Sequence, residues 1–222
     1  EEFKISEDQS ADHIIFENEF VFDKLNPANR ATIKEVIEAA YLNRISLGAH
    51  GYYRYPGISF NKDTGQGNPF YYFTNGVAAS EVLIDRFTGE VKVLRTDILM
   101  DLGRPLNQGI DYGQTTGAFV QGLGWVTTEK LYYNKDGALL THSPSTYKIP
   151  SIQDTPRIFN VDFLINDENS KNLGGNKAVG EPPLLLAISV WTAIKSALNS
   201  LSIRKSTQIK LPATQEEILM NL

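Results

Sequence analysis

Glu181 is the only carboxylate in the stretch "GGNKAVGEPPLLLAISVWTAIKSAL" (174–198), placed between a glycine-containing loop and two prolines at the mouth of an apolar helix. Gly174, Gly175 and Gly180 allow a backbone to approach a ligand closely. Pro182 and Pro183 fix the chain just after the carboxylate and remove two donors, so its direction is narrowly set. A helix start favours the anion, while burial against an apolar helix favours the acid. That balance suits a general base working near neutral pH. The position equally suits a structural carboxylate, since prolines and acids are ordinary at helix starts. Residue types alone leave both readings standing.

Gln114, in "DYGQTTGAF", is a neutral amide flanked by Gly113 and Gly117. Buried amides normally find local partners, so a core glutamine bonded to backbone competes with a ligand contact. His13, His50 and His142 are far apart and show no metal-ligand spacing. The serines near His142, in "THSPSTYKIPS", do not form a hydrolase pattern, and no HExxH, GxSxG or Walker loop is present.

The elements that must hold these residues read as follows. "NPANRATIKEVIEAAYLNRISLG" is expected to be a helix, capped by Asn26, with Pro27 in its first turn and Gly48 at its close. "HIIFENEFVFDKL" before it alternates weakly, as a strand would. "AHGYYRYPGISFNKDTGQGNPFYYF" has no period and reads as a long loop with aromatic anchors. "GVAASEVLIDRFTGEVKVLRTDILMD" predicts an antiparallel hairpin turning at Gly89. In "DYGQTTGAFVQGLGWVTTEKL" the residues Ala118, Phe119, Val120 and Leu123 suggest a buried helix despite four glycines. Each glycine weakens a helix by roughly 1 kcal/mol relative to alanine. A helix that accepts several must let another backbone or a ligand come very near. A second hairpin is expected around Lys135-Asp136-Gly137, one strand in "RIFNVDFLI", and a capping box at Thr214 and Glu217. No repeat or clear linker divides residues 1–222, and without a βαβ rhythm the class is α+β, hairpins packed with helices.

With 222 residues, 41% hydrophobic and 21% charged, the chain can bury a core. Its net charge of −5 and lack of a basic patch argue against nucleic acid or an anionic membrane as partner. No cysteine is present, which excludes disulfides, thiolate metal sites and an iron–sulfur cluster held by this chain, and fits a cytoplasmic protein. The run Leu184 to Trp191 is too short to span a bilayer. The opening "EEFKISEDQS" is acidic where a secretory leader would be basic. Without an initiator Met, the chain is expected to be part of a longer polypeptide.

Three motifs in order, "GNPFYYFTNGVAASEVLIDRFTGEVKVLRTDILMDLGRPLNQGIDYGQTTGAFVQGLG", "SPSTYKIPS" and "KAVGEPPLLLA", carry a specific likeness. From "AAYLNRISLGAHGYYRYPG" to "AIKSAL" the chain resembles the C-terminal part of the molybdenum-binding subunit of the xanthine dehydrogenases, within the molybdenum hydroxylase family. Aldehyde oxidases of that family typically carry a GES-type last motif, so Glu181-Pro182-Pro183 leans toward the xanthine branch.

The resemblance implies hydroxylation of purines with oxygen taken from water. It implies a molybdenum held by the dithiolene of a molybdopterin rather than by protein side chains. Glu181 matches the general base, which in the family takes the proton of the metal-bound hydroxyl. Gln114, with Gly113, matches a cofactor contact, and Lys177, Ala178, Val179 and Gly180 match the loop that carries the glutamate. The family's substrate-clamping residues, most pterin loops, and its iron–sulfur and FAD domains have no counterpart in this sequence. The implied partners are therefore the remainder of the molybdenum subunit, the iron–sulfur and FAD domains or subunits, a purine, and a homo-oligomeric assembly. A fragment of this kind is expected to be inactive alone. Two rivals remain: an aldehyde or N-heterocycle hydroxylase of the same family, and an inert scaffold or assembly module.

Overall fold

A computed structural model describes residues 11–168, 171–201 and 208–222; the acidic opening stretch lies outside them. Although no linker is visible in the sequence, the chain forms two compact units, Glu1–Tyr55 and Pro56–Leu222.

In the first unit, β1 (Ile14–Glu17) and β2 (Phe20–Asp23) form an antiparallel hairpin, and β3 (Asn26–Thr32) adds to the other side of β2. The hairpin turns through Asn18 and Glu19, both at positive φ, a conformation that asparagine tolerates well. The helix α1 covers only Ile33–Leu42, which corrects the expected start at Asn26. Pro27 is instead part of an edge strand, beside a register break between Phe22 and Asp23, where a missing donor costs little. The true start signal is a capping box. Thr32 Oγ1 accepts from the Glu35 N–H at 3.2 Å, and a Glu35 carboxylate oxygen accepts from the Thr32 N–H at 2.8 Å. Arg44, at φ 56°, ends the helical run before Gly48 is reached. Thr32→Ala is expected to destabilise this unit by about 1 kcal/mol, read as a lower denaturation midpoint.

The second unit is built on a sheet of β6 (Asn75–Ile84), β7 (Val91–Asp101) and β8 (Ile158–Phe163), with β7 in the middle. A small separate hairpin, β4 (Ser59–Asn61) and β5 (Gln66–Asn68), is the only regular structure in the aromatic-rich stretch. The rings there are not buried anchors: Phe70 and Phe73 meet at 5.8 Å yet both are exposed. The β6–β7 hairpin turns at Gly89 as expected, with φ +72°.

β7 and β8 run parallel, joined by a crossover that contains α2 (Gln108–Thr127). One βαβ unit is therefore present where none is expected. Only one α-helix and a short 3₁₀ turn, Ile152–Asp154, interrupt residues 102–157, so the strand–helix–strand rhythm is stretched beyond recognition. The expected hairpin at Lys135-Asp136-Gly137 reduces to a tight turn with one bridge, Tyr133 to Leu139.

The core joins β7 (Ile98, Met100), α2 (Phe119, Leu123, Val126) and α3 (Ile188–Asn199), through Val190, Ile194 and Leu198. Residues four apart on α3 share one face, which accounts for its buried stripe. Ser189 of α3 meets Ser80 of β6 at 2.7 Å, and Ser80 meets Thr96 of β7 at 3.0 Å. These hydroxyls satisfy one another in a partly buried seam between α3 and the sheet. The last helix, α4 (Gln215–Leu219), has only half of its expected box: Thr214 accepts from Glu217 N–H, while the Glu217 carboxylate accepts from Lys210 N–H at 2.9 Å. Among the described residues, no helix is long and apolar enough to cross a membrane.

Candidate active site around Glu181 and helix α2

The loop leading to Glu181 is fastened residue by residue. Gly103 bridges Asn176, and Lys177 gives its backbone N–H to the Leu102 carbonyl at 2.8 Å. The Lys177 ammonium lies 2.5 Å from Asp101 at the end of β7, both side chains nearly buried. The Ala178 carbonyl accepts from Thr74 Oγ1 at 2.9 Å, and Val179 packs against the core. Gly180 and Glu181 then emerge exposed. Burial alone would raise the Asp101 carboxyl. Lys177, the Gly103 N–H and the Asn166 amide outweigh it and hold the group below the usual carboxylate range.

After Glu181 the chain does not enter an α-helix directly, as expected, but forms a 3₁₀ segment over Pro182–Ala187 that leads into α3. A 3₁₀ start suits two consecutive prolines, whose missing N–H groups lie where the first donors would have no partner. Leu184 N–H donates to the Glu181 carbonyl at 3.0 Å, and Pro183 and Ala187 are buried. Glu181 holds the N-cap position, yet its side chain makes no capping hydrogen bond. Among the described residues its carboxylate has no hydrogen-bond or ion-pair partner. The capping account of this carboxylate therefore fails. The expected burial fails too, because the side chain is exposed. The apolar anchor lies two residues later, at Pro183.

Helix α2 explains its glycines in two ways. A Cβ on Gly122 would strike the Leu184 carbonyl oxygen and lie 2.8 Å from the Ala187 Cβ, so this glycine lets the 3₁₀ segment pack on the helix backbone. Gly124 is similarly crowded by Glu129 and Pro150. Gly113 and Gly117 have nothing within 4 Å of where a Cβ would stand. They share an exposed face with Ile110, Gln114 and Gln121, at the three- and four-residue spacing of one helix side. The buried-amide reading of Gln114 is thus excluded, as its side chain is exposed. Asn107 caps this helix through Ile110 N–H at 3.1 Å. In its first turn, Asp111 carries a buried oxygen with no hydrogen-bond partner among the described residues.

The structure thus gathers Lys177 to Glu181 on one fastened loop and docks the segment after it onto α2. It does not join Gln114 to Glu181 by a hydrogen bond. Gln114 lies eight residues from the docking glycine, about 12 Å of helix rise. Lys177, expected among the cofactor contacts, has its ammonium engaged by Asp101 instead. Asp101 and Asp111 escape sequence reasoning, although Asp111 lies within the "DYGQTTG" run. Among the described residues, no group of three His, Cys, Asp or Glu side chains could hold a metal ion. Gly113, Gly117, Gln114 and Asp111 together present open backbone, an amide and an acceptor on the first turns of α2.

Comparison with known proteins gives the family. The molybdopterin cofactor-binding domain family matches residues 3–156. The xanthine dehydrogenase/oxidase of Felis catus is 48% identical over 204 residues, 89% of this chain and 15% of that protein. Xanthine dehydrogenase 1 of Arabidopsis thaliana is 44% identical, over 86% of this chain and 15% of that protein. The chain thus spans about 15% of the length of these curated relatives. Among solved structures, the Cu,Mo-CO dehydrogenase superposes with a TM-score of 0.69 at 21% identity, over 95% of this chain and 25% of that one. The aldehyde oxidoreductase of Desulfovibrio gigas gives 0.62 at 28%, over 75% of this chain and 17% of that one. With an α+β fold shared with these enzymes and a family match over most of its length, this chain belongs to the molybdopterin cofactor-binding domains of the molybdenum hydroxylases.

Proposed function

We propose that this chain forms one wall of the active site of a xanthine dehydrogenase-type hydroxylase, with Glu181 as its general base. The observation that carries the reading is the unpartnered Glu181 carboxylate, held at an N-cap it does not cap, on a loop anchored at both ends. When bound, the molybdenum–molybdopterin group supplies a water-derived oxygen nucleophile and takes up the substrate's electrons. The glycine face of α2 receives that group, Gln114 offers it two donors and one acceptor, and Asp111 offers a further acceptor. A Glu181 carboxylate oxygen accepts the proton released as the nucleophile attacks. An exposed carboxylate at this point is open to the nucleophile, while closure by the remainder of the enzyme keeps bulk water out. The iron–sulfur and FAD centres, the purine-clamping groups and the other subunit copy belong to that remainder.

The purine assignment follows the Glu181-Pro182-Pro183 motif and the relatives at 44–48% identity. Steady-state assays of the intact enzyme are expected to favour hypoxanthine and xanthine over simple aldehydes; the reverse order would move it to the aldehyde branch. No turnover with either class would leave the scaffold reading.

Gly113→Leu tests where the cofactor lies. Leucine is a far better helix former than glycine, so α2 is expected to gain nearly 1 kcal/mol of stability. The intact variant should nevertheless lose most of its molybdenum, measured by metal analysis, because the side chain fills the space beside Gln114. Full molybdenum content would show that the cofactor lies elsewhere.

A further inference from the structure

We infer that Lys177 and Asp101, with Thr74, are positioning residues for Glu181: they fasten its loop to the end of β7 so that an exposed carboxylate keeps one direction. The inference rests on the reading of Glu181 as base. The Lys177 and Asp101 side chains are 10% and 12% exposed. Asp101 also accepts from the Asn166 amide at 2.9 Å and from Gly103 N–H at 3.0 Å. An enclosed ion pair adds little net stability compared with apolar groups of the same size. Its use here is geometric. It stands four residues before Glu181, and the backbone of Lys177 is tied to Leu102 as well.

From that point the Ala178 carbonyl is held by Thr74, and Val179 by the core. On the far side Pro183 is buried and the Leu184 carbonyl rests on Gly122. Between these ties the Gly180 backbone and the Glu181 side chain have no bond of their own, the Glu181 carbonyl being held by Leu184 N–H, and so short a span has little room to swing. Gly180 in particular has open space around it and no side chain to hold it. If the clamp loosens, the carboxylate is the group that moves. The ammonium of Lys177 is spent on Asp101, so it acts through Glu181 rather than on the cofactor.

The test uses the intact enzyme and Lys177→Met, which removes the charge and keeps much of the bulk. Turnover is expected to fall about 10²-fold, the scale of an ångström of misplacement. KM should stay within about twofold and the molybdenum content should be unchanged, as for a change felt mainly after substrate binds. Backbone hydrogen exchange across residues 178–187 should accelerate, in both molybdenum-loaded and molybdenum-free enzyme. The deciding comparison is Glu181→Gln with and without Lys177→Met. A residue that acts through Glu181 adds no further loss once Glu181 is gone. Losses that multiply, or faster exchange with unchanged turnover, would overturn the inference, as would unchanged exchange.

Should Lys177→Met fail to accumulate because Asp101 is left buried alone, Thr74→Val supports the same comparison. It removes only the hydrogen bond to Ala178, and Thr74→Ser is expected to restore turnover. Thr74→Val without effect on exchange or turnover would overturn the inference in that case. Failure of the base reading itself is separately visible: Glu181→Gln alone would then turn over normally, whatever the exchange of the loop.

Discussion

Glu181→Gln in the intact enzyme is expected to fold, to retain its molybdenum and to turn over about 10²- to 10⁴-fold more slowly, the range that general-base assistance supplies. The structure makes this a clean substitution. The side chain makes no capping bond and no ion pair among the described residues, so glutamine disturbs no internal contact. The amide is nearly isosteric and can still hydrogen-bond, but it cannot take a proton at neutral pH. KM should change little if the carboxylate acts on the nucleophile rather than on the substrate. Near-normal turnover in fully loaded Glu181→Gln enzyme would refute the catalytic role.

Gly122→Val is expected to be the most damaging single change distant from the chemistry. Its new side chain would collide with the Leu184 carbonyl and with the Ala187 Cβ, so α2 and the Pro182–Ala187 segment must part. Backbone cannot rotate away as a flexible side chain can, and overpacking of this kind costs about 1–3 kcal/mol. The shift would also carry Glu181 away from its place, with a further loss in turnover on the order of 10²-fold. A lower unfolding temperature together with reduced kcat in the molybdenum-loaded enzyme is the expected pair of observations. Full stability would show that the helix contact is looser than it stands here. Because Gly113→Leu enlarges a residue of the same helix with the opposite effect on stability, the two variants separate glycines that meet protein from glycines that await a ligand.

How much of this is legible in the residues differs from place to place. The Glu181 motif, the Gly89 hairpin and the glycine-rich helix are all readable, because each rests on local chemistry: proline geometry, a turn glycine, and apolar residues interrupted by small ones. That several glycines imply a close approach is also readable. Which of them meet backbone is not, because Leu184 reaches Gly122 from sixty-two residues away. The start of α1 misleads because Asn26-Pro27 is a stronger local signal than Thr32 with Glu35, and only pairing with β2 turns Asn26–Thr32 into a strand. Asp101 is invisible for a similar reason. At the end of a strand it reads as a polar terminus, and its partner Lys177 comes near only once β8 lies parallel to β7.

That parallel pairing has a consequence for how the enzyme can diversify. β7 and β8 finish at the same rim of the sheet, where residues 102–107 and 164–168 leave them; Asn166 gives its amide to Asp101 at the end of β7, and Gly103 bridges Asn176. Rims where parallel strands end are common places for ligands to settle. Here the connecting segments can be recut for a different reactant while the strands beneath keep their register. A lineage could thus exchange specificity by editing two short stretches, without renegotiating the interior.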